Sequence, residues 1–188
     1  MSSFDLFSEA VARTTAAQDG WLIGQGVDPE WLYGGASRYG ALRVAANDND
    51  GWDAAETGGQ AMIVLPELPL PDPWDVQVFD IGDLIACNPR NPSEMWARNG
   101  CRMINPEAPE YARHFEVDLR IYADPIAYLV GKQVGCVIVD WSEMTSFPLI
   151  GPRKIICDTL EIGERVDRLF RSSRVPEIHI TQEKLGAA

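Results

Sequence analysis

The chain has 188 residues, 46% of them hydrophobic and 23% charged, with six Trp, five Tyr and six Phe, so it can bury a core and does not have the composition of a disordered chain. Its formal net charge of -12 is uneven: residues 1–80 carry a net -10 and residues 81–188 only -2. A phosphate backbone would be repelled by the first half, so direct duplex DNA binding is not expected, and solubility is the simplest use of the acidity.

Phe4, Phe7 and Val11 recur at i, i+3 and i+7, which predicts a short amphipathic helix with Ser3 as N-cap and Gly20 as its stop. From Trp21 to Pro73 the chain is punctuated by Gly, Pro, Asp and Asn, which predicts an acidic, loop-rich N-terminal region over residues 1–73. Two segments within it promise regular structure. "DPEWL" places Asp28 as a cap and Pro29 at the first helical position, and "AMIVL" at 61–65 is expected to be a strand.

After Trp74 the signals sharpen. Trp74, Val76 and Val78 alternate as a strand, and the apolar pattern continues through Phe79, Ile81, Leu84 and Ile85. "NPSEMWARNG" predicts a helix, with Asn91 as N-cap, Pro92 at the first position, Glu94 completing a capping box and Asn99-Gly100 ending it. "PEYARHF" predicts another helical turn, and "VDLRIY" a strand. "DPIAYLVGKQ" predicts a helix opened by Asp124 and Pro125 that buries Ile126, Leu129 and Val130. "CVIVDW" has the continuous apolar character of a strand covered on both faces. Lys154 to Cys157 predicts a strand, Asp158 and Glu161 a capping box, and Ile162, Val166, Leu169 and Phe170 the apolar stripe of a helix. "PEIHIT" is expected to add a last strand before a frayed tail at 183–188. Together these elements predict an α/β or α+β fold: a small mixed sheet covered by short helices, forming a compact domain over 74–182.

The residues that could carry chemistry are few. Cys87, Cys101, Cys136 and Cys157 stand far apart with no C-x-x-C pair, and His114 and His179 are isolated, so the cysteines read as small core residues in a reducing compartment. The N-terminus has no basic segment followed by an apolar core, and no stretch reaches the roughly 20 apolar residues of a membrane span. A cytoplasmic location is therefore expected. No P-loop, no G-x-S-x-G elbow and no dinucleotide fingerprint occurs.

Two constellations invite a metal. In "VAANDNDGWDAAETGG", residues 44–59, Asp48, Asp50 and Gly51 match the third, fifth and sixth positions of a calcium loop, but the first and twelfth positions hold Ala46 and Thr57. A polar linker with incidental carboxylates is the expected identity. Asp140 and Asp158 each close a hydrophobic strand, and adjacent parallel strands would bring them to one sheet edge, where two acids could hold Mg²⁺. The short connection at 141–152 instead predicts an antiparallel pair with the acids at opposite ends.

Two resemblances bear on function. "CVIVDW" through "IICDTLEIGERVDRL" resembles, over about fifty residues, the Toprim domain of primases and topoisomerases, in which an acidic strand end precedes a Gly-containing helix. "ICDTL" has one Asp where that family has an Asp-x-Asp pair. The order "FDIGDLIACNP", "PSEMWARNG", "DPIAYLVGKQVGCVIVDW" and "RKIICDTLEIGERVDRLF" resembles uncharacterised proteins carried by bacterial prophages and genomic islands near replication genes. That resemblance implies a mobile-element accessory protein.

The leading expectation is an accessory or adaptor protein that acts on a protein partner, without a cofactor or a catalytic site. Trp21, Trp31, Tyr33 and Trp52 would be its exposed anchors, since Trp and Tyr on irregular segments are the residues best able to carry binding energy. The alternatives are a metal-dependent nucleic-acid enzyme, or a degenerate Toprim-like domain, with Asp140 and Asp158 as ligands, and an acidic DNA mimic.

Overall fold

The structure is a computed structural model that describes residues 1–48, 50–69 and 81–172. The chain opens with three helices, α1 (Ser3–Ala12), α2 (Ala16–Gly24) and α3 (Pro29–Tyr33). Ser2, not Ser3, caps α1: its hydroxyl accepts from the Asp5 N–H while the Asp5 carboxylate accepts from the Ser2 N–H. The helix stops at Ala12 rather than Gly20, because Thr15 opens a second helix with its own capping box to Gln18. Two strong caps thirteen residues apart cut one expected helix into two. The buried stripe of α1 is accordingly Leu6, Phe7 and Ala10, and Phe4 points to solvent. The Asp28-Pro29 start of α3 forms as expected, with the carboxylate accepting from the N–H groups of Glu30 and Trp31.

The expected loop-rich region continues as three strands, β1 (Gly40–Ala46), β2 (Trp52–Ala54) and β3 (Gln60–Pro66). In the third described segment β4 (Leu84–Asn88) and β5 (Asn91–Ala97) follow. These five form an antiparallel sheet A in the order β2-β1-β3-β4-β5. Because β3 hydrogen-bonds β4, one sheet spans the division expected between 1–73 and 74–182. The alternation expected at Trp74, Val76 and Val78 and the strand expected at "PEIHIT" lie outside the described residues.

The helix expected over "NPSEMWARNG" is a strand. Residues 88–91 turn tightly, with the Asn88 side chain accepting from the Arg90 N–H, and β5 runs back along β4 through Cys87↔Met95, Ala86↔Trp96 and Ile85↔Ala97. Glu94, expected to reach back to Asn91, instead accepts a 2.7 Å hydrogen bond from Asn88 across the hairpin. Pairing with a buried strand outweighs a local capping preference worth about 1 kcal/mol.

The second half builds sheet B from β6 (Met103–Ile104), β7 (Leu119–Tyr122), β8 (Cys136–Ile138) and β9 (Ile155–Cys157), in the order β6-β8-β7-β9. Its helices are α4 (Ala108–His114), α5 (Pro125–Val130), α6 (Ser146–Leu149) and α7 (Leu160–Ser172). The α5 cap is as expected, Asp124 accepting from Ile126 and Ala127, and the helix buries Ile126 and Leu129 while Val130 is exposed. In α7, Ile162, Val166 and Leu169 are buried, but its first turn is bonded by the Thr159 hydroxyl rather than by Asp158.

Alternation along the strands divides the core into three. α1 packs on one face of sheet A with Leu42, Val44, Met62 and Val64. The other face of sheet A, through Ile63, Leu65, Ile85 and Cys87, meets Leu22, Val27 and Leu32 together with α5 and Val137 of sheet B. Cys136 and Ile138, the neighbours of Val137 on β8, point the opposite way, to α4 and α7. The molecule is thus an α+β fold in which α5 contacts both sheets and α2 and α3 add Leu22 and Leu32 to the core between them.

Candidate interaction surfaces

Three of the four aromatic side chains expected as anchors come from the α2–α3 layer. Trp21 and Trp31 are half-buried against the central core, and the Arg38 guanidinium sits 4.9 Å from the Trp31 ring centre. Tyr33 is 62% exposed. Desolvation and the nearby Asp19 carboxylate push its phenol up, and Asp19 also accepts a 2.6 Å bond from Tyr39. Trp52 is the correction: it is 1% exposed, packs under α1 and donates from Nε1 to the Trp96 carbonyl at 3.0 Å. A ring enclosed in this way belongs to the core and is not the exposed anchor expected of it.

The stretch around Trp52 is a hairpin loop. Asn47 and Gly51 bond each other through main chain and side chain, closing the turn from β1 to β2. Gly51 is required there because a Cβ would collide with the Arg98 carbonyl oxygen, which brings the loop against β5. Among the described residues no group of three His, Cys, Asp or Glu side chains could hold a metal ion.

Asp140 and Asp158 lie at the same edge of sheet B, contrary to the antiparallel expectation. β8 and β9 both run parallel to β7, and β7 stands between them. Strand ends two positions apart are separated by about 9–10 Å, too far for two carboxylates to meet on one ion without long side-chain reach. Each is engaged elsewhere. Asp140 accepts from the Ser142 N–H and hydroxyl and lies 3.8 Å from Arg102. Asp158 accepts from the Ala123 N–H at 2.9 Å, tying the end of β7 to the start of α7.

The cysteines are free, and none is set up as a nucleophile. Burial pushes the Cys136 thiol up to about 12 and raises those of Cys87 and Cys101, the last also through Asp83 and Glu67. His114 is exposed, edge-on to Phe115 at 4.8 Å.

A surface that the sequence reading did not single out lies on α4 and α6, which pack against each other. α4 is amphipathic in the reverse sense. Ala108 and Ala112 face the core, while Tyr111 and Phe115, one turn apart, are 59% and 57% exposed with ring centres 4.5 Å apart. On α6 and just beyond it, Ser146 and Leu149 are buried whereas Phe147 and Ile150 are 60% and 58% exposed. Each of these two helices thus leaves large apolar side chains exposed, and exposed apolar surface of this kind is a candidate for an interaction site. The sequence signal was the aromatic pair at i, i+4 in "YARHF", which a reading of periodicity alone assigns to the core.

No helix among the described residues is long and apolar enough to cross a membrane. The chain matches no protein-family model, no curated protein and no solved structure.

Proposed function

We propose that this chain is a non-enzymatic accessory or adaptor protein that works by protein–protein contact, of mobile-element origin in keeping with its resemblance to prophage and genomic-island proteins. The observation that carries this reading is the exposed Tyr111–Phe115 pair of α4, with exposed Phe147 at α6 and Tyr33 on α3 beside it in kind. Truncating such exposed rings costs the folded chain little and costs an interface much, which separates binding from stability. The reading with Asp140 and Asp158 as metal ligands draws less support, because both carboxylates serve backbone and side-chain partners and stand on non-adjacent strands.

The test compares wild-type protein with a Tyr111→Ser, Phe115→Ser, Phe147→Ser variant as bait in the native host's lysate. It is run with and without nuclease and at low and high salt, and read by mass spectrometry. The expected result is a stoichiometric protein that survives nuclease and salt on the wild type and is lost on the variant, with the variant's melting temperature preserved. Recovery unchanged on the variant overturns this surface. Recovery abolished by salt alone favours the acidic DNA-mimic alternative, since screened charge and buried apolar area respond oppositely to salt.

A further inference from the structure

The register of β1 and β3 pairs Ala41 with Ile63 and Arg43 with Ala61, which sets these four side chains on the face of sheet A that α2 covers. Cover is complete at Ile63, 2% exposed beneath Leu22 and its neighbours, and stops short of the outer end, where Ala61 is exposed. Small side chains account for the gap: Ala41 and Ala61 on the strands and Ala17 on α2 leave space that larger residues would fill. The result is a groove of about 490 Å³. Trp21 lines it from α2, and Pro89 with Arg90 from the β4–β5 turn.

Its electrostatics run against the rest of the molecule. In a chain of net charge -12 the lining, among the described residues, holds three arginines, Arg13, Arg43 and Arg90, and no acidic residue. Arg13 is paired with Glu9 at the rim. Arg43 donates to the carbonyl oxygens of Gly58 and Gly59 at 2.6 and 2.7 Å, neutral acceptors that fix the guanidinium, and it forms no ion pair among the described residues. Arg90 forms no ion pair among the described residues. A volume of this size, an apolar floor and a few convergent polar groups are the attributes of a small-molecule site.

We propose that this groove binds a small amphipathic carboxylate, with its apolar body over Ala41, Ala61 and Trp21 and its anionic head at Arg43 and Arg90. The Arg90 guanidinium fork suits a planar carboxylate, Arg43 contributes its charge and remaining Nη1 donors because its Nε and Nη2 already serve Gly58 and Gly59, and the alanine floor rewards an apolar body that a bare inorganic anion lacks. This site is separate from the α4–α6 face and stands or falls independently of it.

The test is isothermal titration of the full chain with 2-naphthoate, with 2-naphthalenemethanol as the neutral analogue of the same body and inorganic phosphate as the bare anion. Saturable one-to-one binding of the naphthoate is expected, with the alcohol at least about tenfold weaker and phosphate weaker still. Arg90→Ala should weaken naphthoate at least about tenfold, and Ala61→Phe, which fills the groove from an exposed strand position, should abolish it. Thermal melts of both variants check that the fold is intact. The Tyr111→Ser, Phe115→Ser, Phe147→Ser protein should bind naphthoate as the wild type does, which distinguishes the groove from adhesion to the aromatic face. Equal affinity for the alcohol, unchanged binding by Ala61→Phe, or no saturable binding overturns the proposal.

Discussion

Asp83 shows how much of this fold rests on single polar residues that a hydropathy pattern passes over. It is 3% exposed, and its carboxylate accepts from the N–H groups of Leu84, Asn99 and Cys101 at 2.7, 2.9 and 2.8 Å. It thereby pins the connection after β5 to the start of β4. In the sequence it is one polar residue at the head of "DLIAC"; its other donors lie 16 and 18 residues away, so no local pattern announces them. Asp83→Ala should cost about 3 kcal/mol or more in urea unfolding, because it orphans buried donors, and Asp83→Asn less, since one acceptor oxygen remains. Glu67 lies beside it and is half-buried. Desolvation and the Asp83 charge hold the Glu67 carboxyl above the usual glutamate range. The native state therefore binds the Glu67 proton more tightly than the unfolded chain does. Stability should fall as pH rises from the ordinary glutamate value to the native one, and stay lowered above it. Glu67→Gln removes that loss, so its melting temperature should exceed the wild type's at about pH 7 and converge with it at about pH 3, where both chains carry a neutral group.

Elements whose identity is set within a few residues could be read from the sequence, and those set by a distant partner could not. The Asp-Pro starts of α3 and α5, the strand at 61–65 and the apolar stripe of α7 all followed from local signals. β1 escaped notice because "ALRVAA" is short and weakly alternating, and it becomes a strand only between β2 and β3. β5 carried a complete helix signature and lost it to the hairpin with β4. α4 was recognised as a helix, yet which of its faces is buried depends on the room over sheet B, and that room takes Ala108 and Ala112 rather than aromatic rings. This inversion makes a prediction opposite to hydrophobicity. Ala112→Leu, which adds apolar bulk, should destabilise the protein by about 1–3 kcal/mol through overpacking. Phe115→Ser, which removes it, should cost about 1 kcal/mol or less, chiefly the lost contact with Tyr111. Chemical denaturation of the two single variants decides between the faces, and only Phe115→Ser should also weaken partner capture.

At the scale of the molecule, the halves that differ most in charge and composition are structurally the least separable. The central core draws Leu22, Val27 and Leu32 from before the expected division at 73 and Ile126, Leu129 and Val137 from well after it. The Lys132 ammonium at the end of α5 bonds the Asp28 carboxylate at 2.6 Å and holds it below the usual aspartate range, so the cap of α3 is itself tied to the second half. β4 lies between β3 and β5, and removal of residues 1–73 would leave one of its edges without hydrogen bonds along Ile85, Ala86 and Cys87. Composition suggested a compact domain with an acidic, loop-rich extension, because glycine, proline and asparagine are as frequent in the tight turns of a small antiparallel sheet as in an unstructured region. The consequence can be measured. A fragment of residues 74–188 should lack a cooperative thermal transition and expose apolar surface, since unpaired strand edges and an uncovered core face cannot be satisfied by solvent without loss of the sheet. The full chain should melt in one transition that includes the near-ultraviolet signal of Trp52. A fragment that folds cooperatively with protected β4 amides would show instead that sheet B and β4–β5 form an independent unit, with the N-terminal layers only docked upon it.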